Sequence, residues 1–162
     1  MELVEGTATV EDVDAFVAAV DEISESTGAT VQVLDARYVV DRTHVERAVQ
    51  LARRERERGA AIARDPAVEI LLYAAGRRQI EDALTMGVSP GECPVVAVVV
   101  GGETATAARR LRARLDPAET LGSFDEDRVR EFFDVTDREL AATVGGLADI
   151  VHERVALLVV ER

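Results

Sequence analysis

Seven consecutive residues, Pro94-Val-Val-Ala-Val-Val-Val100, carry no polar side chain. A run of that length bounded by turn residues reads as a central strand buried on both faces. Such a strand needs apolar cover above and below, and the rest of the 162-residue chain has to supply it. Residues 2–10 read as a first strand, with Gly6 a bulge or a close-approach point. Thr9-x-x-Asp12 resembles a capping box, and Val13, Phe16, Val17, Val20 and Ile23 come after it at helical spacing until Gly28. Val31, Val33 and Leu34 make a second strand that leads into Asp35-Ala36-Arg37.

Helices dominate the remainder of the chain. One runs from about Thr43 to Gly59, with Val45, Ala48, Val49 and Ala52 on its apolar side. Asp65-Pro66 opens another, because Asp caps and Pro suits the first turn, and Gly76 closes it. A short helix begins at Arg77-Arg78-Gln79-Ile80 and reaches Met86-Gly87. Gly101-Gly102 turns into a helix at Thr104–Arg114, residues 116–124 are a loop or short edge strand, and helical segments cover Asp127–Phe133 and Asp137–Thr143. The last stretch, Leu147 to Val160, begins helical, and its run Val155-Ala-Leu-Leu-Val-Val160 predicts a closing strand. This alternation predicts one α/β (α+β) domain over residues 1–162, with a mixed or antiparallel central sheet flanked by helices.

Composition narrows the function classes. With 31% charged and 48% hydrophobic residues, neither a disordered chain nor a membrane protein fits. No apolar run approaches the ~20 residues of a membrane span, and Met1-Glu2-Leu3-Val4-Glu5 lacks the basic-then-apolar pattern of a secretory leader, so a cytoplasmic location is expected. The single cysteine, Cys93, excludes an internal disulfide and a cysteine-clustered zinc site. The net charge is −12 and all 19 basic residues are Arg, a balance that suits a salt-rich solvent in which carboxylates hold water and their repulsion is screened.

The charge is uneven. Residues 1–36 hold nine acids and no Arg, residues 37–78 hold ten Arg against six acids, and residues 79–162 hold nine Arg against 16 acids. A net-positive island in a strongly acidic chain is a place for a polyanion. A solvated helix face of alternating Arg and Glu over 54–58 accounts for part of it equally well.

Most catalytic constellations are missing: there is no phosphate-binding loop ending in Lys, no nucleophile elbow and no zinc-binding H-E-x-x-H. His44 and His152 lie far apart and read as helix-surface or half-buried residues. Cys93 reads as a buried inert thiol. Gly101-Gly102 offers a strand-to-helix turn that a small nucleotide-binding enzyme would use, but Glu103 places a negative charge there. No cofactor, metal or small-molecule substrate is expected. One cluster stands out, Tyr73-Ala-Ala-Gly76-Arg77-Arg78-Gln79-Ile80. Helix-start N–H groups, guanidinium forks, an amide and an apolar wall at one corner suit a phosphate and an unpaired base. Spacing alone leaves a solvated corner between two helices equally open.

At this corner Glu69-Ile-Leu-Leu-Tyr-Ala-Ala-Gly-Arg-Arg-Gln-Ile-Glu-Asp-Ala-Leu84 resembles the E-I-L-x-x-x-[AS]-G-x-R-Q-I-x-x-A-[IL] block of the small kinase-associated subunit of the KEOPS complex, the family of the human PRPK-binding protein. Asp35-Ala36, His44 with Ala48 and Ala52, and Asp134-Val135-Thr136 are similar to further parts of that family's pattern. The resemblance implies a non-catalytic cytoplasmic subunit that docks on a kinase-like ATPase and recruits tRNA by its 3′ CCA end for threonylcarbamoyladenosine formation. It places Gly76, Arg78, Gln79 and Ile80 at the RNA end, with Arg77 in a variable slot of the motif. A separate apolar patch at Phe132, Phe133, Leu140 and Ile150 is the expected kinase-facing side. A purely structural adaptor of the kinase is the plainer alternative.

Overall fold

The computed structural model describes residues 1–160. The apolar run lies in β3 (Gly91–Val100), and both edges of that strand are filled. β1 (Glu2–Val10) and β2 (Thr30–Asp35) each pair with it antiparallel, in the order β1-β3-β2. Val4 stands opposite Ala97 on one side and Val33 opposite the same residue on the other. The fold is thus mixed α and β around an antiparallel sheet, as the alternation of elements predicts.

The pleat sends alternate β3 residues into two cores. Cys93, Val95, Ala97 and Val99 join Val4, Ala8, Val31 and Val33 on one face, covered by α1 (Val13–Thr27) through Val20 and Ile23 and by α5 (Thr104–Arg112) through Ala107, Ala108 and Leu111. Val96, Val98 and Val100 join Leu34 on the other. There α2 (Arg42–Glu57), α3 (Pro66–Ala75) and α8 (Leu147–Val160) form the cover. The short α4 (Ile80–Ala83), α6 (Glu126–Phe132) and α7 (Asp137–Ala142) add Ala83, Val129 and Leu140 to this second side. Each fully buried valine of β3 contributes about 1.5–3 kcal/mol, and Val95, Val96, Val98 and Val99 are all completely inaccessible. Among the described residues no helix is long and apolar enough to cross a membrane.

Four local expectations change. The closing strand does not exist: 155–160 continues α8, whose buried residues Leu147, Ile150, Val151, Val155 and Leu158 keep helical spacing. Burying these residues on the helix layer outweighs what the β-branched ones lose in helix propensity. The helix α1 is capped by Asp12, whose carboxylate accepts the Ala15 N–H at 3.1 Å, because Thr9 is still paired with Glu92 in the sheet. Val17, expected on the apolar side of α1, is exposed. His44 is neither at the surface nor half-buried but fully inaccessible.

Gly101-Gly102 has a packing role. Gly102 has φ +51, and a Cβ there would lie 2.3 Å from the carbonyl carbon of Gly28, which ends α1. The Glu103 N–H donates to the Thr27 carbonyl at 2.9 Å, and the Thr104 hydroxyl to the Gly101 carbonyl at 2.6 Å. The turn expected of a nucleotide binder is therefore pressed against the end of α1. Gly102→Ala is expected to lower unfolding free energy by about 1–3 kcal/mol in a denaturant melt. Nucleotides should leave the wild-type melting temperature unchanged; a nucleotide-dependent rise would instead mark this turn as a ligand site.

Candidate functional site

The corner after α3 is built from both backbone and packing constraints. Asp65 caps α3 at Ala67 N–H, 2.8 Å, and Pro66 occupies its first turn. Gly76 ends it in the left-handed conformation, φ +61, with the Arg77 N–H returned to the Leu72 carbonyl at 3.0 Å and the Gly76 N–H to Tyr73 at 3.1 Å. This six-to-one closure favours glycine. Space demands it as well, since a Cβ would stand 3.2 Å from the Arg154 carbonyl of α8.

Arg77 and Arg78 then part company. Arg77 turns toward α6: its guanidinium donates to the Phe132 carbonyl and lies over the Phe132 ring, 4.7 Å from the centroid. Arg78, Gln79 and Ile80 turn outward, are exposed, and line a groove of about 300 Å³ between α4 and the chain entering α3. Ile62, Val68 and Ile80 give the groove apolar surface over the buried Leu72, and Arg64 faces it beside Arg78. Neither guanidinium, nor the Gln79 amide, has a hydrogen-bond or ion-pair partner among the described residues. Asp65 and Glu81 also line the groove, so Arg64 and Arg78 are balanced by two acids. What the site presents is two directed forks and an amide next to apolar surface, not a broad positive field.

The groove wall at 60–65 is held by Glu69, which opens the motif at 69–84, and by Arg56, which reads in the sequence only as part of the Arg-Glu face over 54–58. Glu69, 1% exposed, accepts the N–H groups of Ile62 at 3.0 Å and Ala63 at 2.9 Å. Arg56 donates to the carbonyls of Ala63, 3.2 Å, and Arg64. The helix-start N–H groups expected at the corner contribute little. α4 is a single turn, and its Asp82 and Ala83 N–H groups are already bonded to the Gln79 carbonyl. Recognition here rests on side chains.

The expected apolar patch is largely inside. Phe133 and Ile150 are 4% and 2% exposed core residues, and neither can meet a partner without opening the second core. Phe132 and Leu140 are half-buried at its rim. Phe132 is edge-on to both Tyr38 and Phe133, at 5.6 and 5.0 Å, while it also carries Arg77. Arg154 closes the same junction by bonding the Phe133 carbonyl at 3.0 Å and the Glu139 carboxylate at 2.6 Å.

A family model described as kinase binding protein CGI-121 matches residues 10–158. The chain belongs to this family. No curated protein matches the chain. The CGI-121 match takes in the groove, the corner and the whole second core, and so contains both candidate surfaces.

One buried group ties the corner to α2. The His44 Nε2–H donates to the Ala74 carbonyl at 2.7 Å, and its Nδ1 accepts the Val40 N–H at 3.3 Å. Its ring is edge-on to Phe133 at 5.8 Å. Asp41 caps the His44 N–H and also meets His152 Nε2 at 2.8 Å. Burial pushes the His44 imidazole down to about 4, against the partial compensation of the Ala74 bond. The unfolded chain takes up a proton on His44 from about pH 6.5 downward and the folded chain only near pH 4. Stability is therefore expected to fall as pH drops through that window, by up to ~3 kcal/mol on account of this group. Denaturant melts from pH 7 to 4 should show a steeper loss for wild type than for His44→Gln; parallel curves would refute the assignment.

Proposed function

We propose that the chain is a non-catalytic subunit that docks on a kinase-like ATPase of a KEOPS-type assembly and receives the single-stranded 3′ CCA end of tRNA, supporting threonylcarbamoyladenosine formation in the cytoplasm. Membership of a family of kinase-binding proteins supports the first half. The second rests on one observation, the groove in which Arg64, Arg78 and Gln79 stand free beside Ile62, Val68 and Ile80. Guanidinium forks take phosphate oxygens, an amide reads a base edge, and an apolar wall takes the face of an unpaired base.

The arrangement suits the solvent that the composition implies. Phosphate contacts made through counterion release weaken steeply with salt. Stacking and base-edge bonds do not depend on displaced ions, so a compact groove with few charges holds an RNA end where a broad basic surface fails. Gly76 shapes this site without touching the strand, and Arg77 leaves it for α6. For the kinase, the accessible remnant of the apolar patch is the rim at Phe132 and Leu140, next to the α7–α8 turn where Val144 is fully exposed.

The test is affinity for tRNA with and without its CCA end. The intact tRNA is expected to bind more tightly. Arg78→Ala combined with Gln79→Ala should lower affinity for it by at least ~10-fold, the worth of one hydrogen bond to a charged group. Arg64→Ala should do so to a lesser extent. Equal affinity for both tRNAs would leave kinase docking as the whole role of the chain.

Leu140→Arg is expected to abolish co-purification with the kinase-like partner while CCA-dependent tRNA binding survives. Retained co-purification would move the docking face elsewhere.

A further inference from the structure

β2 begins and β3 ends at the same point of the sheet, with Thr30 opposite Val100, and a cavity of about 260 Å³ opens there under α2 and α3. Its apolar surface comes from Ala52 of α2, Pro66 and Ile70 of α3, and Val100. Gly28 and Gly101 lie just outside the two strand ends and border the cavity without side chains. A Cβ on Gly101 would meet nothing within 4 Å, so that side is open. Sites for drug-sized molecules run to roughly 300–1,000 Å³. This one suits a molecule smaller than a nucleotide.

Thr30, Arg53, Arg56 and Glu69 complete the lining. The last two are committed: the buried Glu69 carboxylate accepts the Ile62 and Ala63 N–H groups, and the Arg56 guanidinium donates to the Ala63 and Arg64 carbonyls. Arg53 and the Thr30 hydroxyl have no hydrogen-bond or ion-pair partner among the described residues. Arg53 also borders a hollow beside Glu46 and Glu57 and pairs with neither. Two guanidiniums against one carboxylate leave the lining with one positive charge. A single negative charge balances it, whereas a dianion would meet the buried Glu69 carboxylate without compensation.

We propose that this cavity binds a compact monocarboxylate with a branched apolar body. Arg53 takes the carboxylate in its fork and Thr30 donates its hydroxyl to it, while Ala52, Ile70 and Val100 cover the hydrocarbon. Glu69 and Arg56 hold the wall at 60–65 from this side, so the cavity lies behind the groove that Arg64 and Arg78 line. The site needs no RNA and stands apart from the reading of that groove.

Isovalerate is the probe, titrated at constant ionic strength into the full-length protein and followed by amide chemical shifts, with isovaleramide as its uncharged counterpart. Isovalerate is expected to shift the amides of Gly28, Thr30 and Gly101, and those of Ile62 and Ala63 that Glu69 holds. Saturation should give a dissociation constant on the order of 1 mM. Isovaleramide on wild type, and isovalerate on Arg53→Gln, should each bind at least ~10-fold more weakly, the worth of a hydrogen bond to a charged group. Arg53 is exposed on α2, so its replacement leaves the core untouched. Thr30→Val should weaken binding less. Equal binding of acid and amide, or unchanged binding to Arg53→Gln, would overturn the proposal. Shifts that grow without saturating, or that gather at Arg64, Arg78 and Gln79 instead, would mean non-specific anion contact and overturn it as well.

Discussion

Saturation of β3 organises this molecule. A strand apolar on both faces and flanked by partners on both sides over Val95–Val99 needs apolar cover above and below. That cover comes from helices, while the sheet's outer edges lie on β1 and β2, and Asp116 pairs with Thr7 of β1. The apolar end of the chain accordingly stays in α8 despite its β-branched residues, and α8 in turn supplies Arg154, whose backbone crowds Gly76 and whose guanidinium ties α6 to α7. The geometry of the corner at 76–80 descends from that one buried strand through two layers of packing.

The corner itself is held by side chains bonded within the chain. His44 bonds the last turn of α3, Arg77 bonds the end of α6, and Glu69 with Arg56 fixes the opposite wall. These anchors leave Arg64, Arg78 and Gln79 free at defined positions. A loop free to collapse would satisfy its own guanidiniums on nearby carboxylates, as Arg54 and Arg58 do on Glu55 at 3.4 and 3.6 Å.

The apolar junction at Phe132, Phe133 and Tyr38 links the two candidate surfaces. Arg77 reaches it from the corner, and Arg154 reaches it from α8. The candidate groove and the rim at Phe132 and Leu140 are thus linked through Arg77 and the packed Phe132 ring. Arg77 and Arg78 part in direction, one toward Phe132 and one toward solvent.

The central strand, the helix stops at Gly28 and Gly76, the cap at Asp65-Pro66, the buried thiol of Cys93 and the motif at 69–84 were all legible in the sequence, because each depends on residues within one or two turns of itself. The facing of Arg77 and Arg78 was not, since neighbours in sequence are told apart only by Phe132, 55 residues away. The burial of Phe133 and Ile150, the inaccessible His44, the helical end of the chain and the groove made by Ile62, Arg64, Val68 and Leu72 belong to the same class. A local pattern states which residues are apolar or charged; which of them face water is decided when distant elements compete for the same limited core surface.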